Sequence, residues 1–243
     1  MGNALKDKSQ LNEAIAAYKK ALLIKPNYAE AYNNMGVTLQ EQNKLEEAIK
    51  AYNNALLINP NYTDTFYNLG NTYRDQGKFD EAIDTYKKIL FINPDNAIIF
   101  YNLGNIYKDQ GNFDKAIEAY NKSISIKPDY PEAYNNIGNA HKNKGKLNEA
   151  IEAYKKALSL KPDYAEAYNN MGVVLHNKGE LIEAIEAYSQ ALSIRPDYDS
   201  ARVQKLYLQA HICDWNAVEK DRKLIPKLGT SENITAPFLL FSF

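Results

Sequence analysis

An asparagine returns every 34 residues through most of this 243-residue chain. The five members of this series are Asn34, Asn68, Asn102, Asn136 and Asn170. A side-chain amide both donates and accepts hydrogen bonds, so it can pair with the C=O and the N–H of a peptide group together. Asparagine is a mediocre helix former, because its side chain competes for backbone hydrogen bonds. We therefore predict that these residues form a row of amides that binds the backbone of an extended peptide.

A second set of asparagines stands three residues after the middle members of the row. These are Asn71, Asn105 and Asn139. Residues three and four apart share a helix face, so we add this set to the candidate site. The alternative is that these asparagines have no binding role. Asparagine is abundant throughout the chain, which indicates a compositional bias, and duplicated repeats inherit the same residues without selection. Against it, the position just before the row varies between Asn33, Tyr67 and Tyr101, whereas the row itself does not. Gln204 stands where a sixth member belongs, so the row is expected to end at Asn170.

Other reactive residue types offer no arrangement for catalysis. His141, His176 and His211 are 35 residues apart, and no further His or Cys stands nearby at zinc spacing, so packing roles are predicted for them. The pair His211 and Cys213 could be half of a metal site, but helical packing near Trp215 is the favoured interpretation. We find no Ser/His/Asp arrangement and no phosphate-binding glycine loop. No catalytic residue, metal ligand or cofactor site is predicted for this chain.

The composition excludes several classes of protein. Lysine and arginine number 29 against 30 acidic residues, so there is no basic footprint for nucleic acid. No apolar run approaches the roughly 18 residues of a membrane span, and the first residues have no signal-peptide core. The single cysteine, Cys213, favours a reducing compartment. A cytoplasmic protein without nucleic-acid or membrane partners is predicted.

The elements that must position the amides follow from the same period. Prolines recur every 34 residues from Pro26 to Pro196. With this proline at position 32 of a unit, position 8 is always glycine, position 20 alanine, position 24 tyrosine and position 4 aromatic. Positions 4, 7, 8 and 11 share one helical stripe and positions 20, 24 and 27 a second, so glycine and alanine would let two helix backbones approach closely. Glycine at position 15, or Asn43 in the first unit, ends the first helix, and the proline ends the second. Each unit is therefore predicted to be a helix–turn–helix pair.

This pattern resembles the tetratricopeptide repeat (TPR) family over residues 1–198. The resemblance implies an all-α TPR solenoid, a right-handed superhelix of antiparallel helix pairs, with a concave groove lined by the first helices. A single pair cannot bury its apolar face alone, so neighbouring repeats must stack. The expected organisation is a partial first repeat at 1–28, five complete repeats at 29–198, a capping helix pair or linker at 199–225, and the start of a truncated following domain at 226–243.

Both ends of the chain depart from a closed repeat array. Met1 and Gly2 align with positions 7 and 8, so the chain begins inside a first helix, and fraying or end-to-end self-association through uncapped termini is expected. Residues 199–213 are predicted to form an amphipathic helix, followed by a second helix from Asp214. The predicted apolar stripe of the helix at 199–213 is Val203, Leu206, Tyr207 and Ala210.

The segment from His211 to Phe243 carries a second resemblance. Its Cys213-Asp214-Trp215 triplet and its Pro237-Phe238 run resemble the junction between repeats and catalytic region in bacterial O-linked N-acetylglucosamine transferase-like proteins. The resemblance implies a missing domain that uses UDP-N-acetylglucosamine, and a row of asparagines that holds peptide on the repeats. On this interpretation the chain is a non-catalytic substrate-recognition arm.

The sequence is also compatible with other functions of repeat proteins. A free-standing adaptor for assembling protein complexes is the alternative that the repeats alone support. A carboxylate clamp for chaperone tails needs lysine or arginine in the groove, and we set it aside because position 2 is mostly acidic. Its five residues are Glu30, Asp64, Ile98, Glu132 and Glu166.

Overall fold

The computed structural model describes residues 10–213 and Trp215, and this part of the chain forms twelve α-helices and no strand. The helices are α1 Leu11–Ile24, α2 Ala29–Glu41, α3 Leu45–Ile58, α4 Thr63–Asp75, α5 Phe79–Ile92, α6 Ala97–Asp109, α7 Phe113–Ile126, α8 Pro131–Asn143, α9 Leu147–Leu160, α10 Ala165–Lys178, α11 Leu181–Ile194 and α12 Asp199–His211. The predicted all-α fold class is confirmed. None of these helices is long and apolar enough to cross a membrane.

The turn inside each helix pair has the backbone that the sequence predicts. Between α6 and α7, Gly111 adopts a φ of +74°, which costs glycine almost nothing. Asn43 takes the same role between α2 and α3 with a φ of +59°. Asn112 then caps α7, because its side chain accepts a hydrogen bond from the backbone N–H of Lys115 at 3.3 Å.

Each pair is held together by a tyrosine ring seated on a glycine. The position-24 tyrosines are fully buried, and so are the position-20 alanines. A Cβ atom placed on Gly104 would lie 2.5 Å from Cε1 of Tyr120, far inside contact distance, and the same relation holds at the other four position-8 glycines. The glycine therefore makes room for an aromatic ring, whereas the sequence had suggested room for a second backbone.

The chain divides into two compact units, one before and one after the Pro128–Asp129 bond. In the first unit, α2 packs on α1, α4 on α3 and α6 on α5, so each first helix lies against the second helix of the preceding pair. In the second unit, α10 packs on α9 and α12 on α11 in the same way. Stacking of successive pairs thus supplies the buried surface that one pair lacks.

Helix α12 keeps the register of the repeats. Asp199 takes position 1, and Cys213 takes position 15 with a φ of +59°, as Asn43 does. Ala201 and Leu208 are fully buried, whereas Tyr207 is 48% exposed, so the predicted stripe through Tyr207 is wrong. Packing of the repeat register against α11 decides which face is buried, not the local apolar spacing. The expectations for residues 1–9, for the helix from Asp214 and for residues 226–243 lie outside the described residues.

Candidate peptide-binding face

The five asparagines of the row lie near the middle of the first helix of each pair, in α2, α4 and α6 of the first unit and in α8 and α10 of the second. Within each unit, we call the surface formed by positions 2, 6, 9 and 13 of its first helices the amide face of that unit. Position 6 is half-buried in four repeats, and Asn102 is only 6% exposed. The residues at positions 2 and 13 are more open to solvent, as at Asp64 and Asp75. The amides therefore form the floor of the face, and charged side chains form its margins.

In the first unit, one asparagine outside the predicted site organises two of the row. Asn33, at position 5, is 6% exposed, and its Oδ1 accepts hydrogen bonds from Asn68 Nδ2 at 3.1 Å and from Thr65 Oγ1 at 3.1 Å. Its own Nδ2 donates to Asn34 Oδ1 at 3.2 Å. The position-6 amide of one repeat is thus fixed by the position-5 amide of the repeat before it.

The second unit repeats this link independently. Asn170 Nδ2 donates to Asn135 Oδ1 at 3.1 Å, and Asn135 is 6% exposed. Sequence reasoning missed Asn33 and Asn135, because position 5 varies along the chain and variation suggested a minor role. A spacing of 35 residues between two asparagines was the available signal.

Asn102 differs because the preceding repeat has tyrosine at position 5. Where Asn33 or Asn135 would offer an oxygen, Tyr67 stands instead, and its side chain is partly exposed at 36%. The Asn102 amide lies near the Tyr86 hydroxyl, yet its Nδ2 makes no hydrogen bond with acceptable geometry to any described residue. A buried donor without a partner costs about 1–3 kcal/mol. The Asn102 amide therefore lacks the cross-repeat bond that Asn68 and Asn170 make.

The second predicted set has a structural role. The buried Tyr86 hydroxyl donates to Asn71 Oδ1 at 2.7 Å. The same bond joins Tyr120 to Asn105 and Tyr154 to Asn139, each at 2.8 Å. The amide oxygens at position 9 thus satisfy hydroxyls that would otherwise be buried without an acceptor. Each of these oxygens already accepts one bond from a tyrosine, and the place of Asn71, Asn105 and Asn139 in the peptide site stays a prediction.

Repeats without asparagine at position 9 show what its oxygen does. With Val37 there, the Tyr52 hydroxyl turns to Gln40 Oε1 at 3.1 Å. With Val173 there, the Tyr188 hydroxyl has no partner among the described residues. Burial raises the pKa of both hydroxyls, so they remain neutral donors.

The margins of the amide face carry carboxylates that are paired with basic side chains. In the second unit, Glu166 forms an ion pair with Arg195, and Glu132 lies 3.9 Å from Lys161. Partial burial opposes ionisation of Glu166, but the Arg195 guanidinium holds the pKa of its carboxyl below the ordinary value. In the first unit, Gln40 Nε2 donates to Asp75 at 3.2 Å and links two successive repeats. Acidic margins of this kind do not suit a ligand that binds by its terminal carboxylate.

Two of the three histidines, His176 and His211, lie in ring contacts with Tyr207. His176 and Tyr207 have ring centroids 6.0 Å apart, and the Tyr207 and His211 rings stack at 6.1 Å. Within residues 10–213 no group of three or more His, Cys, Asp or Glu side chains is arranged to hold a metal ion.

Comparison with known proteins identifies the family of this chain. A TPR repeat model and two tetratricopeptide repeat models match the chain. The matched segments are 2–43, 70–111, 104–145 and 143–179 for the first, 29–62 and 165–198 for the second, and 51–84 for the third. A search of the curated proteins found no match.

Solved structures agree with the family models. A crystal structure of MamA is 34% identical, covers 68% of this chain and 97% of that one, and has a TM-score of 0.63. YrrB, described as a TPR protein with an unusual peptide-binding site, is 28% identical over 76% of this chain and 95% of its own, with a TM-score of 0.59. The C-terminal part of a TPR protein from Cytophaga hutchinsonii shares the fold, with a TM-score of 0.77 at 20% identity and 95% coverage of both chains. The chain belongs to the tetratricopeptide repeat family.

Proposed function

We propose that this chain is a protein-interaction scaffold whose amide faces, one on each unit, bind extended peptides by their backbone. The observation that carries the proposal is the set of half-buried row amides at Asn34, Asn68, Asn136 and Asn170, two of which, Asn68 and Asn170, are oriented by the repeat before them. A side-chain amide can donate to a peptide carbonyl and accept from a peptide N–H. The similarity to YrrB, described as having a peptide-binding site, supports the same class of ligand.

The contacts inside the row make backbone recognition selective for geometry, not for sequence. Asn68 donates one side-chain N–H to Asn33 Oδ1. This bond fixes the orientation of the Asn68 amide and leaves its second N–H for a ligand. Tyr67, beside Asn102, offers a partly exposed ring on which peptide side chains can pack. Amides that are oriented before binding lose little entropy when a peptide arrives.

The proposal is tested with peptides selected from a random display library on the purified chain. Binding of a selected fluorescent peptide is measured by polarisation, for the natural chain and for a variant with Asn68→Ala, Asn102→Ala and Asn136→Ala. We expect the variant to lose about tenfold or more in affinity, since each lost hydrogen bond contributes about 0.5–1.5 kcal/mol. N-methylation of single peptide bonds should weaken binding more than substitution of single peptide side chains.

A matched control removes three asparagines from second helices. Asn53, Asn54 and Asn121 are exposed on α3 and α7, so their replacement by alanine should leave peptide affinity unchanged. Equal affinity of the row variant and this control would reject the amide face as the site. Peptide binding that survives N-methylation throughout would reject recognition of the backbone.

We further propose that the scaffold is the substrate-recognition arm of an O-linked N-acetylglucosamine transferase-like protein. The support is the resemblance of residues 211–243 to the junction segment of such proteins, together with the asparagine row. UDP-N-acetylglucosamine would bind the following domain, and no cofactor is assigned to this chain. Transfer of N-acetylglucosamine to a bound peptide by the product of the complete gene tests this proposal. If the gene encodes no nucleotide-sugar site, the adaptor function replaces it, and the peptide-binding proposal is unaffected.

A further inference from the structure

The second helices α1, α3 and α5 of the first unit carry large apolar residues that no described residue covers. At position 29, near the end of each helix, stand Leu23 in α1, Leu57 in α3 and Phe91 in α5, which are 83%, 80% and 90% exposed. We call these three residues the outer ridge. Ile24, which is 86% exposed, extends it at one end. Equivalent positions of stacked repeats follow one another along one surface, so the three side chains form a line.

The later repeats have serine at the same position. Ser125, Ser159 and Ser193 each donate their hydroxyl to a backbone carbonyl of their own helix, at 2.8 Å in every case. These serines need no partner from outside the chain. Position 29 therefore tolerates a small polar residue structurally, and its apolar residues in α1, α3 and α5 require another explanation.

Basic side chains accompany the outer ridge. Positions 22, 25 and 26 share its helix face, and in α1, α3 and α5 they carry five lysines and one aspartate, all exposed. They are Lys19, Lys20, Lys50, Lys87, Lys88 and Asp84. In α7, α9 and α11 the same positions carry three lysines and three glutamates. In α1, α3 and α5, apolar residues at position 29 thus occur together with an excess of lysine at positions 22, 25 and 26.

We propose that the outer ridge docks the chain on the surface of an anionic lipid bilayer. Leucine and phenylalanine side chains would insert into the boundary between headgroups and acyl chains, and the lysines would lie among anionic headgroups. Binding of this kind is peripheral and needs no membrane-spanning helix.

The geometry favours a bilayer over a protein partner. A helical peptide needs a groove with walls, but side chains that are 80% or more exposed have no walls beside them. A second copy packed on the same surface through a two-fold axis would bring the two sets of lysines together. A fluid bilayer accepts protruding side chains without complementary shape and attracts the lysines.

Co-sedimentation of the purified chain with vesicles tests the proposal. We expect binding to vesicles of about 70% phosphatidylcholine and 30% phosphatidylserine, little binding to pure phosphatidylcholine, and loss of binding as salt rises from about 0.1 M to about 1 M. The variant with Leu23→Ser, Leu57→Ser and Phe91→Ser should lower the partition coefficient by about tenfold or more. It installs the residue that the chain itself uses at position 29 elsewhere, so its helix content and thermal midpoint should be unchanged.

Two further variants complete the design. Replacement of Ser125, Ser159 and Ser193 by alanine should leave vesicle binding unchanged. Lys19→Gln with Lys20→Gln should weaken binding to the anionic vesicles while the ridge stays intact. The proposal is overturned if the natural chain does not sediment with anionic vesicles, or if the triple serine variant binds them equally well. Dimerisation that the triple serine variant abolishes, without vesicle binding, would instead make the ridge a contact between copies.

Discussion

At the scale of single residues, the position-9 asparagines should contribute to stability through their oxygens. We predict that Asn139→Val lowers the free energy of unfolding by about 1–3 kcal/mol, because the buried Tyr154 hydroxyl loses the acceptor it reaches at 2.8 Å. Valine is a fair replacement, since Val37 and Val173 occupy this position in other repeats. Urea denaturation followed by circular dichroism measures the change.

The double variant isolates the hydrogen bond. Tyr154→Phe removes the donor, so adding it to Asn139→Val should recover part of the lost stability. Strict additivity of the two substitutions would show that the bond contributes nothing.

The row asparagines should behave differently from one another. We predict that Asn102→Leu leaves the free energy of unfolding unchanged or raises it by up to about 1 kcal/mol, because it removes a buried donor that has no described partner. Asn68→Leu should lower it by about 1 kcal/mol, because Asn33 Oδ1 loses one of its two donors. Thermal and urea unfolding of the two single variants provide the comparison. A loss at Asn102 as large as that at Asn68 would mean that Asn102 serves the fold and not a ligand.

At the scale of the helix pair, the glycine–tyrosine contact decides the packing. Alanine normally stabilises a helix by about 1 kcal/mol over glycine. We predict the opposite sign for Gly104→Ala, a loss of about 1–3 kcal/mol, because the new Cβ would lie 2.5 Å from the Tyr120 ring. Chemical denaturation gives the sign directly.

A smaller residue opposite the glycine should relieve the contact. Tyr120→Leu alone opens a cavity and destabilises the pair, but Gly104→Ala should cost much less in that background. If Gly104→Ala stabilises the natural chain, the ring does not occupy the space that the structure gives it.

The repeat period explains why so much of the fold could be predicted from the sequence. A glycine needed for a positive φ, such as Gly111, or an alanine buried between helices, reports a local constraint that one chain segment reveals. Partners across repeats are different, because Asn33 and Asn68 meet only after two pairs have stacked. Whether an amide forms a hydrogen bond inside the molecule or can form one with a ligand depends on that stacking. The sequence therefore predicted the row, but not that Asn102 alone keeps a buried, unpaired nitrogen among its described members.

At the scale of the whole chain, the buried position-24 tyrosines should make the free energy of unfolding fall at alkaline pH. Burial raises the pKa of Tyr52, Tyr86, Tyr154 and Tyr188 above the ordinary tyrosine value. Below about pH 10 both the folded and the unfolded chain keep these hydroxyls protonated, so they add no pH dependence. Above it, only the unfolded chain releases the protons, and stability falls by up to about 1.4 kcal/mol per pH unit for each tyrosine.

We expect tyrosinate absorbance from these four residues to rise together with the loss of helical circular dichroism. Tyr154→Phe should make the alkaline transition less steep, because one fewer proton is released. Complete tyrosine ionisation in a chain that is still helical would contradict the burial of these rings.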